Sequence, residues 1–235
     1  MSRAFLLQWV LAAIVSLPHW EIEMAYNRFT IESIKKNFGV RIIGDVSLFE
    51  PIVPVEPSDI LARFLERYLP LGSAIGTEKA RSEFIIAPIL AEITELTHHT
   101  VSLFSGVEFD VDEEKGLTGR CGFIFSASPV RYTVEVPVLA VVEAKNDNIN
   151  SGLGQCMAEM IAVRLFNEQE GHAFDVSYGV VTTGSVWRFL KLQNNDIFID
   201  RQEYFIDNLR NLLGILMEIV SKHTSCLSSA SGKNQ

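Results

Sequence analysis

With 235 residues and 48% hydrophobic content, the chain has material for one domain with a sizeable core, and no shift in composition argues for two. A formal net charge of −9 opposes the phosphate attraction that most nucleic-acid binders use, so any role on DNA must rest on a local patch. Cys121, Cys156 and Cys226 are odd in number, widely spaced and free of any CxxC, which argues against a disulfide framework and for a reducing, cytoplasmic compartment.

The N-terminal residues 1–23 form an apolar extension, nearly all apolar from Ala4 to Leu17 behind Arg3. Fourteen or so apolar residues are too few to span a bilayer, which needs roughly 20. Three readings stand: an extension ahead of a start at Met24, a helix that packs or touches a membrane, and a signal peptide. Residues 24–76 read as a helical and loop lead-in. Phe29, Ile31, Ile34 and Phe38 predict a short amphipathic helix ending at Gly39, then loops through the prolines of residues 49–57. A helix over residues 60–69 follows, stopped by Pro70 and Gly72, and a longer one over 77–96 that Pro88 should kink or break.

Residues 77–222 should form the core. After His98 and His99 the apolar period changes to two, predicting strand material from Val101 to Val111, a turn over 112–116 and a strand over 117–125 that closes a hairpin. The two histidines have no cysteine nearby and read as a polar junction rather than a zinc site. A third strand spans 134–144, a helix 152–167, a strand pair 176–182 and 186–192 turns about Thr183-Gly184-Ser185, Phe198 begins a short further element, and a helix over 204–220 closes the fold. Residues 223–235 make a small, polar, disordered tail. Short turns between the first three strands predict antiparallel pairing, and the strand-helix-strand passage predicts a parallel pair. The fold class is therefore α/β, a mixed central sheet flanked by helices.

The chemistry concentrates in PVLAVVEAKND, residues 137–147. A valine-rich run typical of a strand covered on both faces turns charged at Glu143 and Lys145, which strand alternation places on one face with Ala144 on the other. Either charge buried alone would be costly, so they should pair or serve a bound ion. Spacing alone is weak evidence, because Glu113 and Lys115 repeat it in an exposed turn. The next helix adds Gln155 and Glu159, four apart and so on one side, roughly opposite the apolar face of Leu153, Cys156, Met157, Met160 and Ile161. No glycine-rich phosphate loop exists, so a nucleotide cofactor has no support.

A helix with an acidic residue (Glu83 in ARSEFIIAPIL), the hairpin strand LTGRCGFIF, the strand VVEAKND, the helix GLGQCMAEM and the pair YGVVTTGSVWRFLKL together resemble the PD-(D/E)XK nuclease superfamily, in particular its compact bacterial members. The resemblance implies a restriction-endonuclease-like αβββαβ core and Mg²⁺-dependent hydrolysis of DNA phosphodiesters. Glu143 would be a Mg²⁺ ligand together with the Ala144 carbonyl. Lys145 would orient the attacking water, and Glu83 and Gln155 would complete the catalytic set. One departure matters: Gly122 stands where the family carries a strand-borne Asp. Asp110 and Asp112, nearby along the hairpin, are the substitutes the sequence offers. Loss of that carboxylate predicts weak Mg²⁺ binding and impaired hydrolysis. The competing expectation is an inactive nuclease-fold binding or assembly module. The sequence leaves a homo-oligomer open.

Overall fold

The computed structural model of the chain describes residues 25–172, 174 and 176–231, with side chains as far as Lys222. The N-terminal extension, with its three readings, lies outside the described residues. No helix among the described residues is long and apolar enough to cross a membrane.

The chain forms one mixed α/β sheet flanked by helices. In chain order the elements are α1 (Ile31–Phe38), β1 (Arg41–Val46), α2 (Asp59–Ile75), α3 (Glu78–Arg81), a π turn (Ser82–Ile86), α4 (Ala87–Leu96), β2 (Ser102–Glu108), β3 (Arg120–Ser126), β4 (Val138–Ala144), α5 (Ile149–Gln169), β5 (Val176–Thr182), β6 (Val186–Gln193), β7 (Asp196–Asp200), β8 (Tyr204–Phe205) and α6 (Leu209–Ser231). The sheet runs β1-β7-β6-β5-β4-β3-β2, with β8 also pairing with β6. β2, β3 and β4 form an antiparallel meander; β4 and β5, joined by α5, are parallel, as are β1 and β7.

β4 occupies the middle of the sheet, and all seven of its residues are buried. That is why its sequence reads as a continuous apolar run instead of an alternation. Ala140, Val142 and Ala144 join the core under α2, the π turn, α4 and α6; Val141 faces the other core, beneath α1 and α5. Glu143 and Lys145 therefore emerge on the α5 side.

Several expectations are corrected. β1 was expected as loop, yet it pairs with β7, so the lead-in before residue 77 contributes to the same sheet and is not separate from it. Pro70 does not stop α2, which continues to Ile75 and is capped by Gly76 in the left-handed conformation. The apolar face carries the helix past the proline, because Leu61, Leu65 and Gly72 are buried and Gly72 packs against Phe84 and Ile85. Pro88 falls in the first turn of α4, where its missing N–H costs little, and the π turn ahead of it takes up the irregularity. The closing helix starts at Leu209 rather than 204 and its backbone runs to Ser231, into the stretch expected as a disordered tail; no Pro interrupts it, and its one internal glycine, Gly214, lies against the Val53 carbonyl.

Candidate functional site

The end of β4 and the start of α5 meet at a cleft of about 360 Å³ lined by Glu78, Arg120, Gly122, Glu143, Lys145 and Gln155, with residues 25–27 along one wall. Lys145 follows β4 directly, and its backbone N–H donates to the Thr182 carbonyl at 2.8 Å, which holds the residue in register with β5. Its aliphatic stem runs beside Gly152, where a Cβ would lie 3.0 Å from Lys145 Cε. The absence of a side chain at 152 is what lets the lysine lie against the start of α5.

The Lys145 ammonium donates to Glu143 Oε1 at 2.6 Å and to Gln155 Oε1 at 3.0 Å. Gln155 Nε2 in turn donates to Glu159 Oε1 at 3.0 Å. Four side chains thus form one polar chain running from the cleft into the protein. The exposure falls along it: the Lys145 side chain keeps 19%, Glu143 keeps 6% and Glu159 keeps none. An ammonium has three N–H groups, and these contacts use two, leaving one for a ligand oxygen in the cleft.

Burial raises the Glu143 carboxyl above the ordinary glutamate range; the Lys145 ammonium opposes this, and the Glu78 carboxylate adds to it. Glu159 is raised well above that range by complete burial and, second, by the Glu143 charge. Its other oxygen, Oε2, has no hydrogen-bond partner among the described residues. Cys121 and Cys156 are buried beside this chain, and desolvation pushes both thiols up, so neither behaves as a reactive thiolate.

The structure sorts the expected site residues. Glu143, Lys145 and Gln155 come together as anticipated. Glu83 stays off the cleft that holds Lys145 and Gln155: it pairs with Lys79 at 2.7 Å on an exposed surface and lines an adjoining depression with Glu78, Ser82, Gly122, Glu143 and Ala144. An acidic side chain that no motif marks, Glu78, lines the main cleft, five residues before Glu83. Asp110 and Asp112 do not replace the missing carboxylate. Asp110 accepts from the Gly119 N–H at 2.7 Å and Asp112 pairs with Lys115 at 2.5 Å, both within the hairpin and off the Glu143 cleft. Gln155 and Glu159 are not on a solvated helix side, because α5 is buried nearly all round. Residues 25–30 close over it, with Gly154 directly beneath the Phe29 carbonyl. His98 and His99 sit in left-handed backbone after α4, where His99 approaches Glu95.

Position 122 lies beside Glu143: a Cβ there would be 3.4 Å from Glu143 Oε2. The same Cβ would be 2.7 Å from the Val142 carbonyl oxygen, a backbone atom that cannot swing aside. This chain lacks both the carboxylate and the room for it. Mg²⁺ demands near-octahedral oxygen coordination through carboxylates and water. The acidic donors on the cleft are Glu143, one oxygen of which is held by Lys145, and Glu78, while Ala144 lines the adjoining depression; among the described residues no three His, Cys, Asp or Glu side chains converge to hold a metal. The residues present do not fit a resident Mg²⁺.

No family model matches this chain, and a search of curated proteins found no match to it.

Proposed function

We propose that this chain is a nuclease-fold protein of the PD-(D/E)XK type that engages the phosphodiester backbone of DNA at the Glu143–Lys145 cleft, with Mg²⁺-dependent hydrolysis impaired. One observation carries the reading. Glu143, Lys145, Gln155 and position 122, the residues the resemblance marks over 34 positions of sequence, line a single cleft, which supports the reading. The helix, antiparallel meander, helix and parallel strand that build it follow the αβββαβ order.

The residues act as follows. Glu143 and Gln155 hold the Lys145 ammonium from two sides, and its remaining N–H meets a phosphate oxygen at the cleft. Arg120 on the rim, 67% exposed in its side chain, adds a second cation whose present partner is the equally superficial Glu108. Hydrolysis is impaired because the ligand set is short of the carboxylate that position 122 would bear, and Glu78 faces the cleft without completing it.

A second reading keeps the fold and drops DNA: an assembly module with a protein partner. Net charge of −9 and the placement of Glu78 favour it. A supercoiled plasmid incubated with the full chain in Mg²⁺ separates the outcomes. The proposal expects retention of the plasmid with conversion to nicked circles no faster than that given by Glu143→Gln. Rapid Mg²⁺-dependent nicking, abolished in Glu143→Gln, would show catalysis to be intact. Absence of retention at low salt would leave the assembly module.

A further inference from the structure

We infer that Glu159 is a positioning residue for Lys145, acting through Gln155 to hold the ammonium at the mouth of the cleft. The purpose of that positioning rests on the reading of Lys145 as the phosphate-binding group, while the clamp itself stands on geometry alone. Glu159 has no exposure, lies nearly three helical turns in from the start of α5 and touches no ligand-accessible surface, so it cannot serve the cleft directly. Its engaged oxygen takes the Gln155 Nε2–H at 3.0 Å, and the opposite end of the same amide accepts from Lys145 at 3.0 Å. The two bonds specify one orientation of the amide. A flipped Gln155 would point its NH₂ at an ammonium, donor against donor.

The pattern of satisfaction supports a directed role. A carboxylate buried only for packing should satisfy both oxygens, because an unpaired buried polar atom is costly. Glu159 leaves Oε2 without a partner among the described residues and spends Oε1 on Gln155. Gln155 is itself only 8% exposed, so without Glu159 its NH₂ must swing outward, to solvent or to the Glu143 carboxylate whose pKa it already helps to lower. That swing would remove one of the two acceptors fixing Lys145, leaving Glu143 as the sole anchor.

Two measurements test the clamp, neither of which needs DNA. In the first, the full chain and the variants Glu159→Gln and Glu159→Met are treated with a small amine-acylating reagent at fixed pH. Labelling of Lys145 is read by mass spectrometry against Lys79, whose side chain is 82% exposed. Glutamine keeps a carbonyl that can accept from Gln155, so Glu159→Gln should label Lys145 at close to the wild-type rate. Methionine cannot accept, and Glu159→Met should label it roughly tenfold faster, the scale of one charge-assisted hydrogen bond. Equal rates in folded Glu159→Met and wild type would overturn the inference, as would an increase in Glu159→Gln matching that in Glu159→Met. The second measurement uses the unsubstituted protein and is indifferent to whether a variant folds. The side-chain NH₂ of Gln155 should exchange with solvent deuterium at least about tenfold more slowly than that of exposed Gln169; matching rates would overturn the clamp. A wild type that fails to retain DNA bears on the purpose of the cleft and leaves both results readable.

Discussion

The protein contains the same three-residue spacing twice, Glu113 to Lys115 and Glu143 to Lys145, and the two have nothing else in common. In the hairpin turn Glu113 and Lys115 are exposed, and Lys115 turns away from Glu113 to pair with Asp112 at 2.5 Å. At the end of β4 the carboxylate is 6% exposed, the ammonium 19%, and the two meet at 2.6 Å with Gln155 as a third member. Spacing in sequence did not produce the second arrangement. A central strand delivered the pair into a place from which water is largely removed, and the following helix supplied the extra partner. An ion pair in water is worth little, whereas one taken out of water must be satisfied on all sides.

That contrast can be broken by mutation. Glu143→Ala leaves a lysine with a neutral hydrogen-bond partner in a mostly buried site, and should cost about 3 kcal/mol, the low end for breaking a buried pair because Lys145 keeps a path to solvent. Glu113→Ala should stay within about 0.5 kcal/mol of wild type. Urea midpoints of the two variants side by side check this, and similar losses in both would erase the distinction. Next in size is Gly122→Ala. With a methyl group 2.7 Å from the Val142 carbonyl oxygen, β3 and β4 must move apart, at about 1–3 kcal/mol for overpacking. It follows that Gly122→Asp is not a simple restoration of a ligand, since its first carbon already displaces the strand that carries Glu143. A melting temperature unchanged in Gly122→Ala would mean that the strands have slack there.

A smaller effect per step, but one with a definite sign, comes from Glu159. Its carboxyl is raised in the folded protein by burial first and by Glu143 second. Its favourable linkage is fully present below the ordinary glutamate range and is lost as pH rises through the folded value, at up to about 1.4 kcal/mol per pH unit. Glu159→Gln carries no such dependence. The variant should therefore gain stability relative to wild type as pH rises from 5 to 8. Denaturant midpoints of the two proteins at several pH values check this, and a difference that does not change with pH would contradict it.

Much of this was legible in sequence, and the reasons are specific. β4 announced itself because a strand covered on both faces needs an unbroken apolar run, and Glu143 and Lys145 were visible as charges breaking that run at its end. Gln155 was visible from the four-residue period of α5. The parts that escaped depend on contacts distant in sequence or on local irregularity. β1 is a short, half-exposed strand interrupted by Gly44 and Asp45, and only its pairing with β7 makes it a strand. Glu83 is the acid that the resemblance marks on the helical stretch ahead of β2, and nothing local in the sequence shows that Glu78, five residues earlier and ahead of the π turn over Ser82–Ile86, lines the cleft instead. Glu159 looked solvated because nothing in α5 reveals that residues 25–30 fold over it. The resemblance marks Gly122 as the place of an absent carboxylate, whereas the lack of room there depends on the approach of the Val142 carbonyl, which the sequence does not reveal.

The central claim is that Lys145, and not simply any lysine with a neighbouring acid, meets DNA. Fluorescence anisotropy of a labelled duplex at low salt, with wild type, Lys145→Met and Lys115→Met, tests it directly. The account predicts that wild type and Lys115→Met bind alike, that Lys145→Met binds roughly tenfold more weakly, about the loss of one charge-assisted contact, and that added salt weakens the wild-type complex steeply. Equal affinity of Lys145→Met and Lys115→Met, or binding indifferent to salt, would contradict it.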